Sequence, residues 1–71
     1  MERNIDPTAK QGMRIRMQMM VDDRPVSSGM EGTIKWIDSL GTLHVKWDNG
    51  RTLGVIPNED KYELLPSEED Q

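Results

Sequence analysis

The side chains that could do chemistry in this chain are few and poorly arranged for catalysis. An active site needs a nucleophile or an acid–base pair held in a pocket. The candidates are His44, Asp38, Asp48 and the serines of one loop, and no nucleophile motif or paired-carboxylate spacing joins them. Asp48 directly precedes Asn49-Gly50, where a carboxylate typically caps turn amides. His44 alternates with apolar neighbours, which indicates a solvated strand position. We predict that the protein is not an enzyme.

Ligands for a metal or cofactor are equally sparse. The chain has no cysteine and a single histidine, His44, which argues against a transition-metal site. Asp22-Asp23 lacks the ligand spacing of a calcium loop. Gly29-x-x-Gly32 lacks the lysine and hydroxyl of a phosphate-binding loop, so its glycines are better explained as turn residues. We expect neither a metal nor a cofactor.

One set of side chains does suggest binding, because cations and an aromatic ring recur at outward positions of neighbouring strands. Its members are Arg14, Arg16, Lys35, Trp36, His44, Lys46 and Arg51. Neighbouring strands lie about 4.8 Å apart, so these groups would form a shallow basic patch. Such a patch suits single-stranded nucleic acid or a nucleotide, or an acidic or aromatic peptide. Charged outward positions are also ordinary on a solvated sheet face, and the sequence leaves these interpretations open.

The strongest structural signal is a hairpin that would carry part of this patch. Residues 43–47 alternate apolar and polar side chains, the period of a strand with one buried face. Asn49-Gly50 follows and predicts a type I′ turn, after which Leu53 and Val55 resume the alternation. A lone hairpin is marginal in water, so further strands must cover its apolar face.

Two further strands are predicted before the hairpin and one after it. Residues 13–19 alternate strictly between apolar and polar side chains, and residues 32–38 and 62–65 are predicted as two further short strands. In the second run, Ile34 and Ile37 are three apart. Either a bulge near Lys35-Trp36 turns both inward and leaves Trp36 partly exposed, or a regular strand buries Trp36. The loop of residues 21–29 is long for a hairpin, and such loops often bind partners.

Five short strands predict an all-β fold, a small five-stranded SH3-like barrel. An oligonucleotide-binding barrel is the alternative, but it usually needs a longer chain and a helix. We assign residues 1–11 to a flexible leader, 12–65 to the barrel and 66–71 to an acidic disordered tail. Residues 1–51 carry a net charge of +1 and residues 52–71 carry −5, so the folded body is close to neutral. That balance argues against a strong general DNA-binding protein.

The cellular compartment is predicted from the absence of cysteine, of a membrane-spanning segment and of a secretory signal in the sequence. Without cysteine, a reducing environment is the simpler assumption. The sequence contains no apolar run of membrane-spanning length and no apolar core of a secretory signal. We therefore expect a soluble, cytoplasmic protein with no membrane partner.

Four short motifs carry a family resemblance. They are Gly29-x-x-Gly32-Thr33-Ile34, Asp38-x-x-Gly41, His44-Val45-Lys46-Trp47-Asp48-Asn49-Gly50 and Ile56-Pro57. Over residues 12–65 the chain resembles domain of unknown function 4314, small uncharacterised proteins of bacteria, their phages and mobile elements. The resemblance implies an SH3-like fold and a mobile-element setting, and it carries no site residues. The V-x-W-D-x-G pattern also resembles barrel modules of Mind bomb-type ubiquitin ligases, which bind peptides.

The leading functional hypothesis is an interaction module that binds a peptide or protein through the 21–29 loop, the Trp36 surface and the central hairpin. The alternative is binding of single-stranded nucleic acid or a small nucleotide by the basic and aromatic face. A second alternative is a structural homo-oligomer that packs through the methionine-bearing first strand. The identity of the partner and the oligomeric state stay open at this point.

Overall fold

The computed structural model describes residues 5–66, which form a single five-stranded antiparallel sheet. The strands are β1 (Arg14–Met19), β2 (Glu31–Ile37), β3 (Leu43–Trp47), β4 (Thr52–Val55) and β5 (Lys61–Leu65). Their order across the sheet is β4-β3-β2-β1-β5. The prediction of an all-β fold with five strands is confirmed, and residues 5–66 contain no helix. Strands β4 and β5 are the two edges of the sheet, so closure into a barrel stays a prediction.

The core lies under one face of this sheet, where period-2 alternation collects the apolar side chains. Its fully buried members are Ile15, Met17, Ile34, Leu43, Val45, Trp47 and Val55. Trp47 is 1% exposed, and its indole nitrogen donates a hydrogen bond to the Leu53 carbonyl at 3.2 Å. Because the core side chains take the inward positions, the charged residues of the same strands are left on the opposite face.

A bulge in β2 decides the orientation of Trp36. The pairing of β2 with β3 runs from Ile34 opposite Val45 to Trp36 opposite His44, so one extra residue, Lys35, is inserted. Ile34 is buried and Trp36 is 51% exposed. The bulged alternative is therefore confirmed, and Trp36 is a surface residue of the outward face.

The turn of the central hairpin differs from the type I′ prediction. A type I′ turn requires positive φ at both central residues, whereas within residues 5–66 only Asn58 among the non-glycine residues has positive φ. Gly50 alone carries it in this hairpin, at 92°. The Gly50 amide donates to Trp47 O at 2.9 Å, and the Trp47 amide donates to Arg51 O at 2.8 Å. The type I′ prediction is wrong. The connection is a three-residue loop with a glycine bulge, in which Gly50 takes the positive φ and Asn49 does not have to.

Residues 5–11, which the sequence assigns to the leader, lie against the sheet. Ala9 is 7% exposed and belongs to the core cluster. The Tyr62 hydroxyl donates to the Asp6 carboxylate at 2.6 Å. Burial and this hydrogen bond raise the pKa of Tyr62 well above its ordinary value. Burial also works to raise the pKa of Asp6, but hydrogen bonds from Thr8 and Tyr62 outweigh it and lower that pKa. Residues 1–4 of the leader and 67–71 of the tail lie outside the described residues.

The 21–29 loop is tied to the body from both sides. Val26 is buried in the core cluster, and the Gly29 amide donates to Met17 O at 2.7 Å. The buried Asp60 carboxylate accepts hydrogen bonds from the amides of Val21 and Ile56, both at 2.9 Å. This carboxylate therefore joins the start of the loop to the connection between β4 and β5.

Candidate functional site

The outward face of the sheet carries the candidate site, and it divides into two parts. The first part, which we call the ion-paired half, consists of Arg14, Arg16, Glu31, Asp48 and Glu63. The second part, which we call the Trp36 groove, is lined from β2 by Lys35 and Trp36, from β3 by His44 and Lys46, and from β4 by Leu53 and Gly54.

In the ion-paired half, Arg14 forms a bidentate pair with Asp48. The two guanidinium nitrogens lie 2.9 and 2.6 Å from the two carboxylate oxygens of Asp48. Arg14 also donates to Thr33 Oγ1 at 3.0 Å and lies 3.5 Å from Glu31. The hydrogen bonds that Arg14 donates to Asp48 lower the pKa of the Asp48 carboxylate and raise the pKa of the Arg14 guanidinium.

Arg16 completes this half by bridging two strands. Its guanidinium lies 3.3 Å from the Glu31 carboxylate on β2 and 3.0 Å from Glu63 on β5. The hydrogen bonds that Arg16 donates to these two carboxylates raise its pKa. Two guanidinium groups thus meet three carboxylates, and this part of the predicted basic patch has no excess positive charge.

The Trp36 groove is built on a stack of two rings. The rings of Trp36 and His44 are 3.9 Å apart between centroids and inclined by 5°. His44 Nε2 lies 2.9 Å from Asp38 Oδ2. The other oxygen of Asp38 accepts from the amides of Leu40 and Thr42, at 2.9 and 3.0 Å. The β2–β3 turn therefore holds Asp38, Asp38 holds the His44 ring, and His44 supports one side of the indole.

Electrostatics fix the direction of the central hydrogen bond. The hydrogen bond from His44 is the largest cause that lowers the pKa of Asp38, helped by the two backbone amides of the turn. Asp38 is therefore ionised near neutral pH and can only accept hydrogen bonds. His44 Nε2 must then carry the proton that it donates.

The groove is open and small. Its cavity volume is about 220 Å³, and an adjoining depression of about 250 Å³ shares Lys35 and Lys46. Pockets for drug-sized ligands or cofactors usually measure about 300–1,000 Å³. The groove therefore matches one or two side chains of a longer ligand better than a whole small molecule.

The seven sequence-predicted binding residues thus fall into three environments. Trp36, His44, Lys35 and Lys46 come together at the groove. Both lysines are exposed, and neither ammonium group makes an ion pair within residues 5–66. Arg14 and Arg16 lie in the ion-paired half. Arg51 lies apart, because its guanidinium donates to the carbonyls of Arg24 at 2.7 Å and Pro25 at 3.4 Å and so holds the 21–29 loop.

The sequence reasoning missed the acidic partners and the turn carboxylate. Glu31 and Glu63 stand directly opposite Arg16 in the register, so cross-strand pairing would have revealed them once that register was known. Asp38 was considered only as a catalytic acid, although its position before a glycine turn indicated a capping role.

Residues 5–66 contain neither a cluster of metal ligands nor a membrane-spanning helix. No group of three or more histidine, cysteine, aspartate or glutamate side chains is placed to hold a metal ion there. Nor does that part of the chain contain a helix with the length and apolar character needed to cross a membrane.

Comparison with known proteins gave one match. The model of the family described as "Domain of unknown function (DUF4314)" matches residues 4–65. No curated protein matches, and neither does any solved structure. The match covers all five strands.

Proposed function

This chain belongs to the DUF4314 family, and we propose that it is a non-enzymatic interaction module that binds a peptide or protein partner through the Trp36 groove. The observation that carries the proposal is the indole of Trp36, which is half exposed although it stacks on His44, whose ring is in turn held by Asp38. Tryptophan is among the residues most enriched at the energetic centres of protein interfaces. A ring that is already fixed loses little conformational entropy when a partner covers it.

The groove offers a partner two kinds of contact. Trp36 and His44 supply a flat aromatic surface, and Lys35 and Lys46 supply positive charge beside it. Both contacts suit a short segment that carries an apolar side chain and a carboxylate, through burial and cation–carboxylate pairing. A segment of this kind is the proposed ligand class.

The absence of catalysis is part of the proposal. His44 and Asp38 are a histidine–carboxylate pair of the kind found in enzymes. Within residues 5–66, however, no serine, threonine or tyrosine hydroxyl hydrogen-bonds to His44. The ring is instead used as a support for Trp36.

The 21–29 loop, which the leading sequence hypothesis included in the binding surface, contributes no residue to the lining of the groove. It enters β2 at Glu31, and the five-residue step to Trp36 corresponds to roughly 17 Å of strand. Two backbone carbonyls of the loop also accept hydrogen bonds from Arg51 of the central hairpin. We therefore limit the proposed surface to the groove.

The test is selection from a displayed library of random dodecapeptides on the immobilised full chain. Selected peptides are expected to bind a Trp36→Ala variant at least about tenfold more weakly, a loss of ~1.4 kcal/mol. Leu40→Ala is the matched control, because Leu40 is 68% exposed in the adjoining turn. Equal binding to the wild type and Trp36→Ala, or no enrichment, would overturn the proposal.

Nucleic acid is the second candidate, favoured by the same ring stack. Bases stack on exposed aromatic side chains, and lysines pair with phosphates. Within the described part of the chain, however, only Lys35 and Lys46 are available near the groove, because Arg14 and Arg16 are paired with carboxylates. Two phosphate contacts on a single strand predict a slope of about −1.4 for log K against log salt. Titration of a single-stranded oligonucleotide at several salt concentrations tests this, and absence of binding at low salt contradicts it.

The structural homo-oligomer loses part of its basis. It was to pack through the methionine-bearing first strand, and Met17 of that strand is fully buried in the core. Met19 is the exposed methionine of that strand. Native mass measurement would detect such an oligomer.

A further inference from the structure

Within residues 5–66, strand β4 has a neighbouring strand on one side only, and the backbone groups of its other side are open. Among the five strands, β4 contacts only β3. The Trp47 amide donates to Arg51 O, and the register continues with Lys46 opposite Thr52 and Val45 opposite Leu53. In an antiparallel pair, hydrogen-bonded and non-hydrogen-bonded positions alternate.

This alternation identifies the backbone groups that face outward from the sheet. Leu53 and Val55 occupy hydrogen-bonded positions, so their amides and carbonyls point towards β3. Thr52 and Gly54 occupy the intervening positions, so their amides and carbonyls point towards the open edge. The edge therefore offers two donors and two acceptors to a further strand.

The Trp36 groove ends at this edge. Trp36, His44 and Gly54 are successive partners across β2, β3 and β4. Because Gly54 has no side chain, nothing at that position separates the stacked rings from the edge. A Cβ at Gly54 would come within 2.9 Å of Thr42 Cγ2, so the glycine also suits close packing there.

Charge favours one kind of occupant along the same edge. The next row contains Lys46 opposite Thr52, and the Lys46 ammonium has no ion pair within residues 5–66. Lys35 projects from the bulge beside it and lines the same groove. Within residues 5–66 no carboxylate lines the groove, in contrast to the ion-paired half.

We propose that an extended acidic segment of the partner protein adds to β4 as a sixth strand. This inference rests on the proposed function and specifies how the ligand is held. Side chains two residues apart share one face of a strand. An apolar or aromatic residue opposite Gly54 therefore reaches the rings of Trp36 and His44. A glutamate or aspartate two positions away lies opposite Thr52 and faces Lys46. Recognition by strand addition combines main-chain hydrogen bonds with side-chain specificity in this way.

The probe is a blocked heptapeptide with tryptophan at its centre, glutamate two positions to either side and threonine elsewhere. It presents the same pattern in both strand directions. The matched control has its glutamates directly beside the tryptophan, which sends them to the opposite face. We expect the probe to bind the full chain at least about fivefold more tightly than this control, and a version with lysine for glutamate to bind more weakly still.

Amide hydrogen exchange reads out the strand addition directly. On saturation with the probe, the amides of Thr52 and Gly54 should exchange at least about tenfold more slowly, because they acquire acceptors. The Leu53 amide, already bonded to β3, is the internal control. Shifts at Trp36 and His44 without protection of Thr52 and Gly54 would overturn strand addition while leaving the proposed function standing.

A backbone variant gives an independent test. Thr52→Pro removes an amide that faces the edge and no hydrogen bond to β3, so the sheet should keep its fold. We expect it to bind the probe at least about tenfold more weakly, with a spectrum that stays dispersed. Unchanged affinity overturns the inference. If library-selected peptides bind through Trp36 but the probe does not bind, the inference fails alone; if neither binds, both proposals fail.

Discussion

Both parts of the outward face carry two cationic side chains, arginines in one and lysines in the other, but in the described part of the chain only the arginines are matched by carboxylates. In the ion-paired half, each guanidinium finds its carboxylates within the domain. In the Trp36 groove, the ring stack is self-contained but the indole stays half exposed and the lysines stay unpaired within residues 5–66. The difference shows that a count of outward cations does not locate a binding surface. The proposed binding uses the part of the face whose charges are not already matched.

The energetics of the two parts point the same way. Exposed ion pairs typically contribute only about 0.2–1 kcal/mol each to stability. An exposed tryptophan contributes little to folding, and its large apolar area gains most when a partner removes it from water. The ion pairs therefore link β1, β2 and β5 with a small gain in stability. The exposed indole of the groove, by contrast, would gain most from being covered in the proposed binding.

The largest expected effect separates the two tryptophans, which lie on opposite faces of the sheet. Trp47→Ala should lower the free energy of unfolding by about 3–5 kcal/mol, because it leaves a cavity in the core. Trp36→Ala should lower it by less than about 1 kcal/mol, since the ring is on the surface. Urea denaturation of both variants measures the difference. A large loss for Trp36→Ala would show that the groove is part of the folding core.

A smaller effect is expected from opening the ion-paired half. Arg14→Ala removes the bidentate pair with Asp48 and should cost about 0.5–1 kcal/mol of unfolding free energy, less at high salt. Lys46→Ala, on β3 of the same face, is the matched control and should change stability very little. If both variants cost the same, the contrast between the two halves has no energetic basis.

The smallest expected effect is the change of stability with pH. It involves Asp48 of the ion-paired half and Asp38, which supports the Trp36 groove through His44. The pKa values of Asp38 and Asp48 are both lowered from 3.8 by hydrogen bonds, from His44 and Arg14 respectively. The stabilisation is therefore present above the unfolded pKa and is lost as pH falls through the lower folded pKa. Carboxyl NMR titration between pH 2 and 5 should place both midpoints below 3.8. A midpoint for Asp38 above that value would contradict its hydrogen bond to His44.

Much of the fold could be predicted from alternation alone, since the strand positions follow from which side chains must be buried. The orientation of Trp36 was reduced to two alternatives, and only the register could choose between them. The turn type was mispredicted because Asn49-Gly50 is compatible with two hairpin loops. The short-range signal does not distinguish whether Asn49 or only Gly50 takes positive φ.

The site was less predictable than the strands, for a physical reason. Whether Arg14 and Arg16 are available depends on Asp48, Glu31 and Glu63, which are distant in sequence and meet them only in the folded sheet. The same holds for Arg51, whose acceptors are backbone carbonyls and have no sequence signature. The sequence was sufficient to place four side chains side by side, because the bulge and the hairpin that position them are local features. These side chains are Trp36, His44, Lys35 and Lys46.

The pairing of β1 with β5 has a consequence for how the protein folds. Arg14 at the start of β1 stands opposite Leu65 at the end of β5, so the sheet joins nearly opposite ends of the described chain. Contacts of such long sequence separation slow folding, because loop closure precedes any gain from pairing. During synthesis the central hairpin can form early, whereas β1 lacks one of its two neighbours until residue 65 has left the ribosome. We expect that the folding rate depends on this last strand, and that the half-made chain exposes an unpaired side of β1 until then.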